Sequence, residues 1–203
     1  MGTFAVKIML KSVATRARTI AARNLLLRSF SSKSVIDRFA LLETDRKFGL
    51  DLQALQKKYK LLMADAHPDR HGGKSPEEQK ALADHASDIT DAYAVLRAPH
   101  TRAVHLLELC GNPLSEETSG DVLGMDFLME IMEVREELEE AGAEPERLRV
   151  LRASNQEAMD ELHAKLQGAF DESNDVATAH GLTARLQYLA RIEEEIHSRM
   201  PVQ

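Results

Sequence analysis

Two apolar stripes at helical spacing, separated by a loop of about ten residues, constrain this chain more than any other feature. Leu52, Leu55, Tyr59, Leu62 and Ala66 recur at intervals of three and four, and Leu82, Ala86, Ile89, Tyr93 and Leu96 repeat the pattern. A helix turns once in about 3.6 residues, so such spacing lines side chains along one face. His67-Pro68-Asp69 closes the first stripe. Proline has no amide hydrogen for the helical ladder and disfavours helix in the residue before it. Asp51 or a neighbour is placed to cap the first helix. Ser75-Pro76-Glu77-Glu78 opens the second, with serine as cap, proline in the first turn and acids against the positive end of the dipole. The expectation is an antiparallel helical hairpin zipped through its apolar faces. A short helix around 36–43 would cover it with Phe39 and Leu42.

The rest of the chain is also expected to be helical, which makes the fold class all-α. Leu, Ala, Glu, Lys, Arg and Met dominate, all good helix formers, and Trp is absent. On a helical wheel Phe127, Ile131, Val134 and Leu138 fall on one line, enough for a core stripe. Leu128 and Met132 lie about a third of a turn away, with Met129 beyond them. A second apolar strip beside a complete one is either a wider core or an exposed contact patch. Methionine suits an adaptable surface. Leu148, Leu151, Leu162, Leu166 and Phe170 predict a helix from near Pro145 to about Ser173. Leu182, Leu186, Leu189, Ile196 and Met200 predict another, beginning after Gly181, with Tyr188 to one side. Three helices suffice for a small bundle.

Charge is segregated along the chain. Residues 1–36 carry seven basic and no acidic side chains, residues 37–103 eleven of each, and residues 104–203 eight basic against twenty-two acidic. The acidic last half argues against a phosphate backbone as its partner. The basic, Ser/Ala/Leu-rich start has no unbroken apolar centre, which fits a mitochondrial transit peptide over 1–34 better than a secretory signal, a basic tail or a membrane-surface helix. Arg28-Ser29-Phe30-Ser31 resembles a matrix-protease site, placing the mature start near Ser31 in the mitochondrial matrix. No apolar run is long enough for a membrane span.

The helix carrying Tyr59 and Leu62, the His67-Pro68-Asp69 loop and the helix carrying Tyr93 and Leu96 together resemble a J domain. Arg97-Ala98-Pro99-His100-Thr101-Arg102-Ala103, and the run from Asp126-Phe127-Leu128-Met129-Glu130 to Arg135-Glu136-Glu137-Leu138, resemble the HscB family of J proteins. The resemblance implies a J domain over 35–107, a linker over 108–119 and a three-helix scaffold-binding domain over 120–203. It implies a cochaperone of iron–sulfur cluster assembly with two partners, a mitochondrial 70-kDa heat-shock chaperone and a cluster scaffold of the IscU type. His67, Pro68 and Asp69, with Lys57 and Lys60 on the basic helix face, would contact the heat-shock ATPase. Leu128, Met129, Met132 and Tyr188, surrounded by Glu133, Arg135, Glu136 and Glu140, would bind the scaffold. A general or import-motor J protein for unfolded clients is the alternative, weakened by the lack of a membrane span, a Gly/Phe-rich linker and CxxC repeats.

Neither enzyme chemistry nor a metal is expected. The single Cys110 has no CxxC partner and reads as a buried inert thiol. The cysteine-rich zinc segment of some eukaryotic HscB members is missing, so no structural zinc and no cofactor are expected. The eight histidines show no ligand spacing, and no phosphate loop appears.

Overall fold

The hairpin forms as its two stripes require. The computed structural model describes residues 35–66, 75–115 and 123–200. The expected transit segment 1–34, the His67-Pro68-Asp69 tripeptide and part of the expected linker lie outside these residues. Helix α1 (Arg38–Leu41) is capped by Asp37, whose carboxylate accepts from the amides of Phe39 and Ala40, and it buries Phe39 and Leu42. Helix α2 (Leu52–Ala66) is capped by Asp51, which accepts from the Gln53 and Ala54 amides. Helix α3 (Pro76–Arg97) starts in a capping box: Ser75 Oγ accepts from the Glu78 amide while Glu78 accepts from the Ser75 amide. Such reciprocal pairing satisfies two amides that the first helical turn leaves over.

Leu55, Ala66, Ile89, Ala92 and Leu96 are buried between α2 and α3, and Tyr59 stacks on Tyr93 at 4.3 Å between ring centroids. The stripe is shorter than expected, because Leu52 at the helix start is exposed. The sequence reading also left the following segment without an element. Helix α4 (Pro99–Leu109) fills it, passing through the boundary expected at 107/108 and packing on α3. Cys110 caps α4 and is exposed, correcting the expectation of a buried thiol. Gly111, at φ +73°, then turns the chain out of the helix, and the Asn112 amide bonds back to the Leu107 carbonyl.

Three longer helices follow: α5 (Met125–Ala141), α6 (Pro145–Gln167) and α7 (Val176–Arg199). The α6 stripe runs on through one π-helical turn (Gly168–Glu172), close to the end expected near Ser173. Helix α7 starts at Val176 instead of after Gly181. The cause is Asp175, which accepts from both the amide and the hydroxyl of Thr178 and so sets the helix start ahead of the glycine. Asn155, buried on α6, donates to the Leu189 carbonyl and to Glu193 of α7, stitching the pair together. The described residues contain no strand.

Helix α4 packs on α7 as well as on α3, so a continuous set of buried side chains runs from Phe39 to Ile196. A second tie lies in the α1–α2 loop. Asp171, in the π-helical turn, accepts from the Phe48 amide at 2.7 Å and the Gly49 amide at 2.8 Å. Phe48 stacks on Phe170 and lies under the Arg102 guanidinium. A Cβ at Gly49 would come within 3.1 Å of Asp171 and Gln167, so only glycine fits there without displacing them. Residues 37–203 accordingly make one compact unit.

Three histidines are expected to make this fold sensitive to mild acid. His105 is buried, stacks on Phe39, accepts from the Arg38 amide through Nε2, and meets Glu108 and the Arg38 guanidinium at Nδ1. Burial holds the pKa values of His100, His105 and His163 below the ordinary histidine value. The unfolded chain therefore takes up protons first as pH falls. The histidines' contribution to stability is present above their ordinary value of about 6.5 and is lost as pH falls from there through the lower folded values. Thermal melts are expected to show a midpoint that falls between about pH 7.5 and about pH 5.5, with a shallower fall for His105→Gln. A pH-independent midpoint would contradict this.

Candidate docking surfaces

The first expected surface rests on α2. Lys57 and Lys60 are exposed and lie one turn apart, on a side of the helix away from Leu55. Lys58 is drawn elsewhere, donating to the Glu43 carbonyl beyond α1. Leu61, four residues after Lys57, is 67% exposed on the same side. The sequence reading missed it, although the helical wheel places it there: it falls outside the stripe and beside the lysines. The basic face thus has an apolar member. His67, Pro68 and Asp69 follow the last residue of α2 directly, outside the described residues.

The second expected surface rests on α5. Phe127, Ile131 and Leu138 are buried and Val134 half-buried, so the core line is filled as read from the wheel. Met129 and Met132 are 55% and 61% exposed, and Met125, which the sequence reading did not single out, is 72% exposed. At 100° per residue Met125, Met129, Met132, Glu136 and Glu140 fall on one line, methionines first and carboxylates after. Glu133 and Arg135 flank it and are exposed. Glu140 is held at the helix end by Arg147, 3.4 Å away, and neighbouring Glu139 by Arg199 of α7. The remaining two apolar candidates differ from the methionines. Leu128 is half-buried against the core. Tyr188 is half-buried too, its ring edge-on to Phe127 at 6.3 Å with Arg191 over its face. Leu128 and Tyr188 border the methionine line and also support the core beneath it.

Neither surface is a catalytic pocket. Two open clefts lie among the described residues, one lined by Leu52, Gln53, Gln56, Tyr93 and Arg97 and one by Arg135, Glu136, Glu139 and Glu140. Among the described residues no group of His, Cys, Asp or Glu is placed to hold a metal ion, and no helix is long and apolar enough to cross a membrane. One helix face is basic with an exposed leucine, and the other sets exposed methionines beside carboxylates.

Residues 123–197, which comprise all of α5 and α6 and most of α7, match the family model of the HSCB C-terminal oligomerisation domain. The match extends through the hairpin: the co-chaperone protein HscB homolog of Azoarcus sp. is 33% identical over 162 residues, 79% of this chain and 91% of that protein. The chain belongs to the HscB family of co-chaperones. Another HscB relative, the mouse protein named iron-sulfur cluster co-chaperone, is 33% identical over 164 residues, 79% of this chain and 67% of its own length. The crystal structure of human co-chaperone HscB superposes with a TM-score of 0.74 at 30% identity, covering 82% of this chain and 83% of that one. HscB membership accounts for the coexistence of hairpin and bundle in one chain, which neither helical pattern alone requires.

Proposed function

We propose that this HscB-family chain is an iron–sulfur cluster co-chaperone of the mitochondrial matrix, which brings a scaffold of the IscU type to a 70-kDa heat-shock ATPase. The observation that carries the reading is the α5 face. Its methionines and carboxylates stand exposed on a helix whose core line is already filled, inside the segment that matches the HscB C-terminal model. Desolvated apolar anchors ringed by polar groups carry most of the energy of protein interfaces. Residues 35–107 act as the J domain, 108–119 as the linker and 120–203 as the scaffold-binding domain.

The J domain recruits the ATPase through Lys57, Lys60 and Leu61, with the lysines steering and orienting the encounter more than holding it. His67, Pro68 and Asp69 then favour the conformer of the partner that hydrolyses ATP, by binding it better than the other. The co-chaperone step itself makes and breaks no bond on this chain. Leu128, Met129, Met132 and Tyr188 hold the scaffold, with Glu133, Arg135, Glu136 and Glu140 around them.

Steady-state ATP hydrolysis by the heat-shock protein, measured with the chain alone, the scaffold alone and both, tests the reading. The chain is expected to stimulate by itself and to stimulate more in the presence of scaffold. Capture of unfolded proteins in general, with no preference for the scaffold, would favour the import-motor or general J-protein alternative. Localisation follows from the acid-free basic residues 1–36. Mass spectrometry of the organellar protein is expected to find an N-terminus within a few residues of Ser31, and an intact Met1 would refute the transit reading.

A further inference from the structure

We infer that Met125, Met129 and Met132 form a peroxide-sensitive modification site that switches off scaffold docking at α5. The inference rests on the scaffold reading above and adds its regulation. Exposure separates these three residues from the other described methionines. Met63, Met159 and Met200 are half-buried against the core. The sulfur of Met63 also receives the Thr90 hydroxyl at 3.8 Å, and that of Met159 the Asn155 amide at 3.6 Å. The three α5 thioethers are 72%, 55% and 61% exposed, at spacings of four and three residues that bring them onto one line. A peroxide therefore reaches this line before the others.

The chemistry is one oxygen transfer at each sulfur. The sulfur lone pair attacks a peroxide oxygen, the S–O bond forms and the O–O bond breaks. Sulfur loses two electrons, and hydrogen peroxide leaves as water. A thioether becomes a polar, chiral sulfoxide, which must be desolvated before the scaffold can cover it. Reduction by a thiol-dependent sulfoxide reductase returns the thioether, with a disulfide and water as the other products. The step alters a surface and leaves the core line of Phe127, Ile131 and Leu138 in place.

The full-length chain, titrated with hydrogen peroxide and mapped by mass spectrometry, tests the inference, with the apo scaffold as binding probe. Sulfoxide is expected at Met125, Met129 and Met132 before Met63, Met159 or Met200. At that dose the scaffold Kd is expected to rise about tenfold or more. The melting temperature and the scaffold-independent stimulation of the ATPase are expected to hold. A thiol reductant acting on oxidised Cys110, which is also exposed, is expected to leave the defect, and a sulfoxide reductase to remove it. In the Met125→Leu, Met129→Leu, Met132→Leu chain the ratio of Kd after peroxide to Kd before is expected to be close to one, whatever its starting affinity. Undiminished scaffold affinity after oxidation of the three, a lowered melting temperature, or equal oxidation of the half-buried methionines overturns the inference. An untreated chain that does not bind scaffold refutes instead the scaffold reading on which it depends.

Discussion

Asp69→Asn is expected to reduce stimulation of the heat-shock ATPase to the level without co-chaperone, with scaffold binding, helicity and melting unchanged. The substitution removes a charge and keeps the size of the side chain. It lies in sequence between the end of α2 at Ala66 and the cap of α3, which Ser75 makes with Glu78. Surface changes away from caps and core typically move stability by less than about 0.5 kcal/mol. Single-turnover hydrolysis and a thermal melt on the same preparation check both halves. His67→Gln should behave alike. Lys57→Ala with Lys60→Ala should weaken stimulation in graded fashion, with the deficit shrinking as salt rises, because exposed charges are screened. Full stimulation by Asp69→Asn would reduce the tripeptide to helix punctuation.

Met129→Ser with Met132→Ser is expected to weaken scaffold binding by about thirtyfold or more, taking about 1–2 kcal/mol for each lost anchor. Both side chains are more than half exposed, so the melting temperature should stay near that of the unchanged protein. Leu128→Ser and Tyr188→Ser should lose binding and stability together, since Leu128 packs on the core and Tyr188 stands edge-on to Phe127. Removing half-buried contacts of this size costs about 1–3 kcal/mol of folding free energy. Isothermal titration against the scaffold, with calorimetric melts of the same variants, separates the two pairs. If the methionine pair binds as the parent does, the scaffold face lies elsewhere on the bundle.

What was legible in the sequence was what periodicity and capping control. The two hairpin stripes, the caps at Asp51 and Ser75, and the core line of α5 all depend on residues within a few positions of each other. The failures have a different origin. Helix α4 was missed because its buried set includes Arg102 and His105, whose polarity hides the stripe. Arg102 is tolerable inside because its guanidinium donates to the Leu96 carbonyl and lies over Phe48. The start of α7 differs from the expectation because Gly181 looks like a helix boundary in the sequence, whereas Asp175 already supplies the cap. At the candidate surfaces, the wheel separated core from non-core on α5. It could not grade exposure, and Leu128 and Met132 became distinguishable only once α7 was in place beside them. Asp171, more than a hundred residues from the amides it binds, left no local trace.

On the proposed function, that long-range pairing bears on how the two surfaces would work together. With the Phe48–Gly49 loop clamped by Asp171 and α4 wedged between α3 and α7, the hairpin and the bundle within residues 37–203 are joined as by a bracket more than by a tether. A tether delivers cargo at an effective concentration diluted by every arrangement its linker can sample. A bracket presents its cargo at one separation and in one orientation, so that geometry fixed during folding need not be found again at each encounter. On the reading proposed here, the ATPase would meet the scaffold already in register, and the cost of aligning the two would be borne once, when the chain folds.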